Sequence, residues 1–147
     1  MDSYLSRSAV PGNRVTAQHA YGGGVYTDGG GPGNRKALAV ENCTVARNLV
    51  EDNPALPEPA GSQYYYRGGG IYMSNGSLAV FGSTIVENAV TGIPAVFRGR
   101  PNMGGGALAA TIGDAHTVEE TRLRHAILAG NTLNGAPSDL FTGSLIR

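Results

Sequence analysis

The chain has 147 residues and a formal net charge of zero, from 11 basic and 11 acidic side chains. That length is enough for one domain with its own core, and the charge balance excludes the basic footprint of a nucleic-acid or anionic-membrane binder. The apolar runs are too short for a membrane-spanning helix, and the single cysteine, Cys43, excludes an intrachain disulfide framework and argues against a cysteine-based metal site.

Glycine is the informative residue, with 23 copies against no tryptophan and three phenylalanines. Without a three-residue period this is not collagen. Glycines clustered at recurring places instead suggest corners or close backbone approach. The polar start Met1-Asp2-Ser3 lacks the charged and apolar stretches of a signal peptide, so the sequence reads as cytoplasmic or as exported by a signal outside it.

Along the chain, the expected elements recur as copies. An aliphatic residue three positions before an asparagine appears at Val10/Asn13, Val45/Asn48, Ile85/Asn88 and Leu128/Asn131. A glycine triplet followed by apolar residues alternates with it: Gly22-Gly23-Gly24-Val25-Tyr26, Gly68-Gly69-Gly70-Ile71-Tyr72 and Gly104-Gly105-Gly106-Ala107-Leu108. Aligning on the asparagines gives further columns. Eight before lie Leu5, Val40, Val80 and Leu123; ten before lie Ser3, Leu38, Leu78 and Thr121. Five before are Ser8, Cys43, Ser83 and Ala126, uniformly small, so Cys43 reads as a small core residue at a crowded bend. The alternation of these columns is that of strands with one buried face.

Each copy therefore predicts three short strands: the glycine-rich one, the Leu-x-Val one and the aliphatic one before Asn. Column types return once per copy, so each strand should lie over its counterpart in parallel sheets, a solenoid of about four rungs. Helix is disfavoured by the glycines and β-branched residues; only Asp114 to Leu128 has a helical composition, and Leu123 and Leu128 in it fit strand columns. The asparagines stand at 13, 48, 88 and 131, and the unequal lengths place insertions at residues 14–21, 49–67 and 89–103, with another near Ile112 to Glu120. These should emerge as long loops on one side, often a solenoid's binding side. Asn13, Asn48, Asn88 and Asn131 are expected at corners, where asparagine tolerates left-handed backbone, with their amides bonded one over the next.

Gly-Gly-Gly-Ile-Tyr at 68–72, Ser77-Leu78-Ala79-Val80 and Ser83-Thr84-Ile85-Val86-Glu87-Asn88 resemble the rung of secreted bacterial right-handed β-helix proteins, including the choice-of-anchor surface proteins and the pectate-lyase-like superfamily. Gly105-Gly106-Ala107-Leu108 is similar to the repeat motif of polymorphic outer-membrane proteins, whose partner Phe-x-x-Asn has Val, Ile or Leu for Phe here. Asn131 to Arg147 looks like a last partial rung. The resemblance covers nearly the whole chain. It implies an all-β, right-handed single-stranded parallel β-helix over residues 1–147, as one domain of a larger exported protein at the cell surface or outside the cell. Packing motifs do not fix function.

The function expected is a non-enzymatic surface module that presents loops to a glycan or surface protein. About four copies are too few for a long polysaccharide groove, and solenoid ends need covering, so end-to-end contact with further rungs or another copy is expected. The alternative is a polysaccharide lyase or glycoside hydrolase, or its remnant. Its candidate residues are Asp114, His116, Glu119 and Glu120, with Arg122 and Arg124 on the outward face; a solvated, charge-balanced loop explains the same cluster. Calcium would enter only with a lyase; otherwise no cofactor or metal is expected, since His19, His116 and His125 share no ligand spacing. His125 reads as structural. Tyr64, Tyr65, Tyr66 and Arg67 are candidate ligand-binding residues, as tyrosines offer flat amphipathic surface; they equally suit an edge that packs on its own loop. Tyr26 and Tyr72 align in adjacent copies and should stack on each other. The glycine runs lack the Lys-Ser/Thr of a phosphate loop.

Overall fold

The structure is a computed structural model and describes residues 2–17, 19–28, 36–53, 65–92, 96–97, 100–101, 103–111, 120–142 and 145–146. Regular structure among them is all β, in six separate sheets that are mostly parallel. The largest parallel sheet pairs, in order, Ser3–Ser6, Lys36–Glu41, Gly76–Phe81, Glu120–Arg124 and Leu145–Ile146. A second pairs Ala9–Pro11, Thr44–Ala46, Thr84–Val86 and Ile127–Ala129. A third runs Arg14–Thr16, Leu49–Glu51, Ala89–Thr91 and Thr132–Leu133, with Ala136–Pro137 turned back antiparallel on the last. His19–Tyr21, Tyr65–Arg67 and Met103–Gly104 form a fourth; Val25–Asp28, Ile71–Ser74, Leu108–Thr111 and Leu140–Thr142 a fifth. A two-stranded antiparallel pair, Val96–Phe97 with Arg100–Pro101, completes the set. The chain visits the five larger sheets in one order on its first three passes, and among the described residues the last pass goes from the third sheet to the fifth, so neighbours within a parallel sheet come from successive passes.

The sequence columns are the pairing register. Leu5 lies beside Val40, Val40 beside Val80, and Val80 beside Leu123. Val10, Val45, Ile85 and Leu128 likewise form one row. These side chains turn to the same side of their sheets and meet in one core that includes Leu38, Val40, Val45, Ile71, Met73, Leu78, Val80, Ile85 and Leu108. Each buried aliphatic of this size contributes about 1.5–3 kcal/mol relative to exposure. Leu5 and Val10 on the first pass and Leu123 and Leu128 on the last pack on this core and are half-buried.

Three sequence expectations need correction. First, the residues taken as insertion contain strands: Arg14–Thr16, Leu49–Glu51 and Ala89–Thr91 follow the asparagines, and each of the first three passes places a strand in five parallel sheets rather than three. Val15, Val50 and Val90 point inward there and, with Ala20, build a second apolar cluster. Second, the third glycine triplet is displaced by one residue. Ile71 pairs with Leu108 and Arg67 with Gly104, so Gly68 answers to Gly105. Gly105 has φ +66°, where a side chain is strained. Gly69 is fixed by space instead: a Cβ there would stand 2.5 Å from the Ala89 carbonyl oxygen and 2.6 Å from that of Gly106. Third, the corner asparagines are not themselves left-handed. That conformation belongs to the residue before each, namely Gly12, Arg47, Glu87 and Gly130, and again to Arg7, Asn42, Gly82 and His125 before the small column. At these corners on the first three passes the N–H donates to the next pass, as in Arg47 to the Val86 carbonyl at 3.1 Å and Glu87 to the Ala129 carbonyl at 3.0 Å. Asp114 to Leu128, helical in composition, contains the strands Glu120–Arg124 and Ile127–Ala129, because tertiary pairing overrides local propensity.

Candidate functional site

The four asparagines are joined by their amides. Asn48 Oδ1 accepts the backbone N–H and the side-chain amide of Asn13, at 3.0 and 2.9 Å. Asn88 Oδ1 accepts the same two groups of Asn48, and Asn131 Oδ1 those of Asn88. The amides of Asn48, Asn88 and Asn131 also donate back to a carbonyl of the preceding pass, as Asn88 Nδ2 does to Val45 at 3.0 Å. Asn48, Asn88 and Asn131 are buried, and buried amides need this saturation. The small column has a parallel device: the Ser8 and Ser83 hydroxyls and the Cys43 thiol each donate to the carbonyl two residues back. Cys43 is buried in the core and its backbone N–H bonds Ser83 Oγ at 3.0 Å. Both columns are spent on architecture.

The expected catalytic cluster falls only partly within the described residues; Asp114, His116 and Glu119 lie outside them. Glu120, Arg122 and Arg124 share the strand Glu120–Arg124, where Thr121 is buried and Arg122 and Arg124 are exposed. Arg122 Nη2 lies 2.5 Å from Glu120 Oε2. That hydrogen bond, and then the charge of Glu120, raise the Arg122 pKa above its ordinary value. The two groups thus neutralise each other along one strand.

Of the candidate ligand-binding group, Tyr64 lies outside the described residues. Tyr65 and Tyr66 lie in the strand Tyr65–Arg67, opposite His19 and Ala20. Arg67 is half-buried and pairs with Tyr21 on one side and Gly104 on the other.

The structure gathers aromatic surface elsewhere. Tyr26 and Tyr72 are direct partners in the fifth sheet, and their rings stack at 5.7 Å with planes 17° apart. Tyr21, which the sequence did not single out, stacks on Tyr72 at 4.9 Å and 17°, and its ring lies 6.1 Å from Tyr26 at 30°. Its only sequence cue is its place immediately before a glycine triplet. Tyr72 is 5% exposed, Tyr21 half-buried and Tyr26 53% exposed. Tyr72 is thus the floor, and the first-pass rings hold the accessible surface. Burial, then the nearby Asp28 charge, then Tyr72 raise the Tyr26 pKa. Asp28 is exposed two residues along the same strand face, and Asn75 Nδ2 lies 3.5 Å from its Oδ1.

A second polar cluster also went unforeseen. Glu51 accepts a two-pronged bond from Arg14, at 2.5 and 2.7 Å, and one from the Thr16 hydroxyl at 2.6 Å. With Asp52, Thr91 and Gly92 these residues line a shallow open depression on the third sheet. Among the described residues no three His, Cys, Asp or Glu side chains come together as a metal site, and no helix is long and apolar enough to cross a membrane.

Comparison with known proteins finds no matching family model, curated protein or solved structure.

Proposed function

We propose that the parallel sheets are the faces of a short right-handed single-stranded β-helix, and that it serves as a non-enzymatic secreted or cell-surface module binding a glycan or protein. The β-helix reading draws on the recurring order of the sheets and the rung-like motif around Gly68 to Asn88. One observation carries the binding reading: tyrosines from two passes converge on one sheet and leave a large aromatic ring half in solvent. Exposed aromatic clusters of this kind are expensive to keep in water unless something covers them. The outward location draws on the same motif resemblance.

The test is a binding screen of the chain against immobilised neutral and acidic polysaccharides and against surface proteins, with product release measured in parallel, with and without calcium. Retention without turnover is expected. Turnover of any polysaccharide that Arg124→Ala abolishes overturns the reading in favour of an enzyme.

A further inference from the structure

The outward face of the second sheet carries no charge. Its strands bury Val45 and Ile85 inward, so the residues on either side of these turn out. Thr44, Thr84 and Ile127 stand in one outward row, and Ala46, Val86 and Ala129 in the next. Thr44, Ile127 and Ala129 are exposed, Ile127 by 58%. The first sheet instead turns Glu41, Arg122 and Arg124 outward, and the third turns out Arg14 and Glu51. An uncharged sheet face with an aliphatic side chain in solvent has the composition of an interface centre.

Charge gathers at one rim of this face. Arg47 follows the strand Thr44–Ala46 and Glu87 follows Thr84–Val86, one pass apart, and both are exposed. Among the described residues neither has an ion-pair partner, and they do not pair with each other. Both hold φ +56°, where Gly12 and Gly130 serve the other two passes. Strain kept by a charged residue where glycine would do points to a use for its side chain. Two copies laid face to face about a two-fold axis can bring this rim together in two ways. With the axis across the strands, Arg47 meets the far corner of its own pass, at Asn42. With the axis along the strands, between the second and third passes, Arg47 of each copy stands over Glu87 of the other, and Thr44 over Thr84. Sheets stacked face to face lie about 10 Å apart, a gap that an arginine and a glutamate span together. Arg7 and His125, both exposed, then face each other at the opposite rim.

We propose that the second sheet is the docking face for a second copy of this chain, in a two-fold dimer closed by two reciprocal Arg47–Glu87 ion pairs. Four strands about 4.8 Å apart, each of three residues rising about 3.3 Å, cover on the order of 200 Å2, against the roughly 800 Å2 per partner of a stable complex. The dimer is therefore weak and reversible. This inference does not rest on the binding-module reading.

Sedimentation equilibrium of the full chain, up to about 1 mM, tests it. A monomer–dimer equilibrium that weakens in salt is expected. Arg47→Glu and Glu87→Arg should each weaken self-association about tenfold or more, since each sets like charges opposite one another twice. An equimolar mixture of the two variants should regain the strength of the unaltered chain, because both ion pairs return with their signs exchanged. Ile127→Glu, which puts a charge on the uncharged face, should also prevent dimerisation. Arg47→Gly and Glu87→Gly should fold at least as stably and yet dimerise less, which separates association from folding. A chain that is monomeric throughout overturns the proposal, whatever else the face binds. So does a dimer that the charge changes leave intact, or a mixture that stays monomeric while each variant is folded by circular dichroism.

Discussion

Asn131 Nδ2 donates to Asp139 Oδ1 at 2.8 Å, so the amide series that begins at Asn13 ends on a carboxylate. Where a fifth asparagine would stand, the chain supplies an aspartate only eight residues on. Asn131 Nδ2 also lies 2.9 Å from the Ile85 carbonyl and 3.1 Å from that of Ala129, so its two hydrogens are shared among three acceptors. Asp139→Ala should destabilise the fold by about 1–3 kcal/mol, the usual range for losing a charge-assisted bond to a buried donor. Asp139→Asn, which keeps an acceptor oxygen, should lose much less. Urea unfolding of the two variants decides this; equal losses would show that the contact contributes through its charge alone.

Position along the series should grade the cost of removing an amide. Asn88 is fully buried and bonds Asn48, Val45 and Asn131. Asn88→Ala strands partners on both neighbouring passes, at about 1–3 kcal/mol each, and should leave little folded protein. Asn13 is exposed and bonds in one direction only, so Asn13→Ala should cost about 1 kcal/mol or less. Circular dichroism melts of the pair test the order.

The strained corners predict stabilising changes. Arg47 and Glu87 have φ +56°, in a column where Gly12 and Gly130 do the same work. The left-handed conformation costs a side-chain-bearing residue about 1–2 kcal/mol, and the extra freedom of glycine in the unfolded chain returns part of that. Glu87→Gly and Arg47→Gly should each raise stability by about 0.5–1 kcal/mol. A rise in denaturation midpoint is the expected reading, and a fall would mean that the side chains contribute more than their strain.

Space, rather than dihedral angle, governs Gly69. Its Cβ position is occupied by the carbonyls of Ala89 and Gly106, so Gly69→Ala should abolish cooperative folding. Gly12→Ala meets nothing within 4 Å and has only its φ of +68° to pay for, about 1–2 kcal/mol. Expression and melting of the two variants separate crowding from strain.

Acid should weaken the third sheet through Glu51. The Arg14 guanidinium first, and the Thr16 hydroxyl next, hold its carboxyl below the usual carboxylate range. The folded pKa is thus below the unfolded value of about 4.5. The contribution is present in full above that value and disappears as pH falls through the lowered one. Melting temperatures from pH 7 to pH 3 should fall more for the unaltered chain than for Glu51→Gln. The group is exposed, so the difference should be small and should shrink in salt.

Much of the fold was legible because its register is written residue for residue: Val40, Val80 and Leu123 occupy one row and look alike. The strands after the asparagines were missed although their signal was present, since Val15, Val50, Val90 and Leu133 stand two places beyond each. Unequal spacing drew attention to insertion there and away from that column. The corner column of Arg7, Asn42, Gly82 and His125 was not readable, because a shared backbone angle leaves no common side chain. The glycine triplet misled by one place, because Gly104-Gly105-Gly106 contains two overlapping frames. For the site, the alignment of Tyr26 with Tyr72 was visible, but Tyr21 was not, since its stacking partner sits on another sheet and another pass.

The asparagine bonds also bear on how the chain reaches its native state. Asn13 meets Asn48, Asn48 meets Asn88, and Asn88 meets Asn131, each across 35 to 43 residues of chain. Apart from the Asn131 bonds to Ala129 and Asp139, the bonds described for these amides span 35 or more residues, so the first asparagine-to-asparagine closure must order a long stretch of chain before it forms. Topologies of this kind nucleate slowly, on the order of milliseconds to seconds or longer. Once one circuit is set, its upward-facing N–H and C=O groups template the next, and assembly should spread outward from the middle pass.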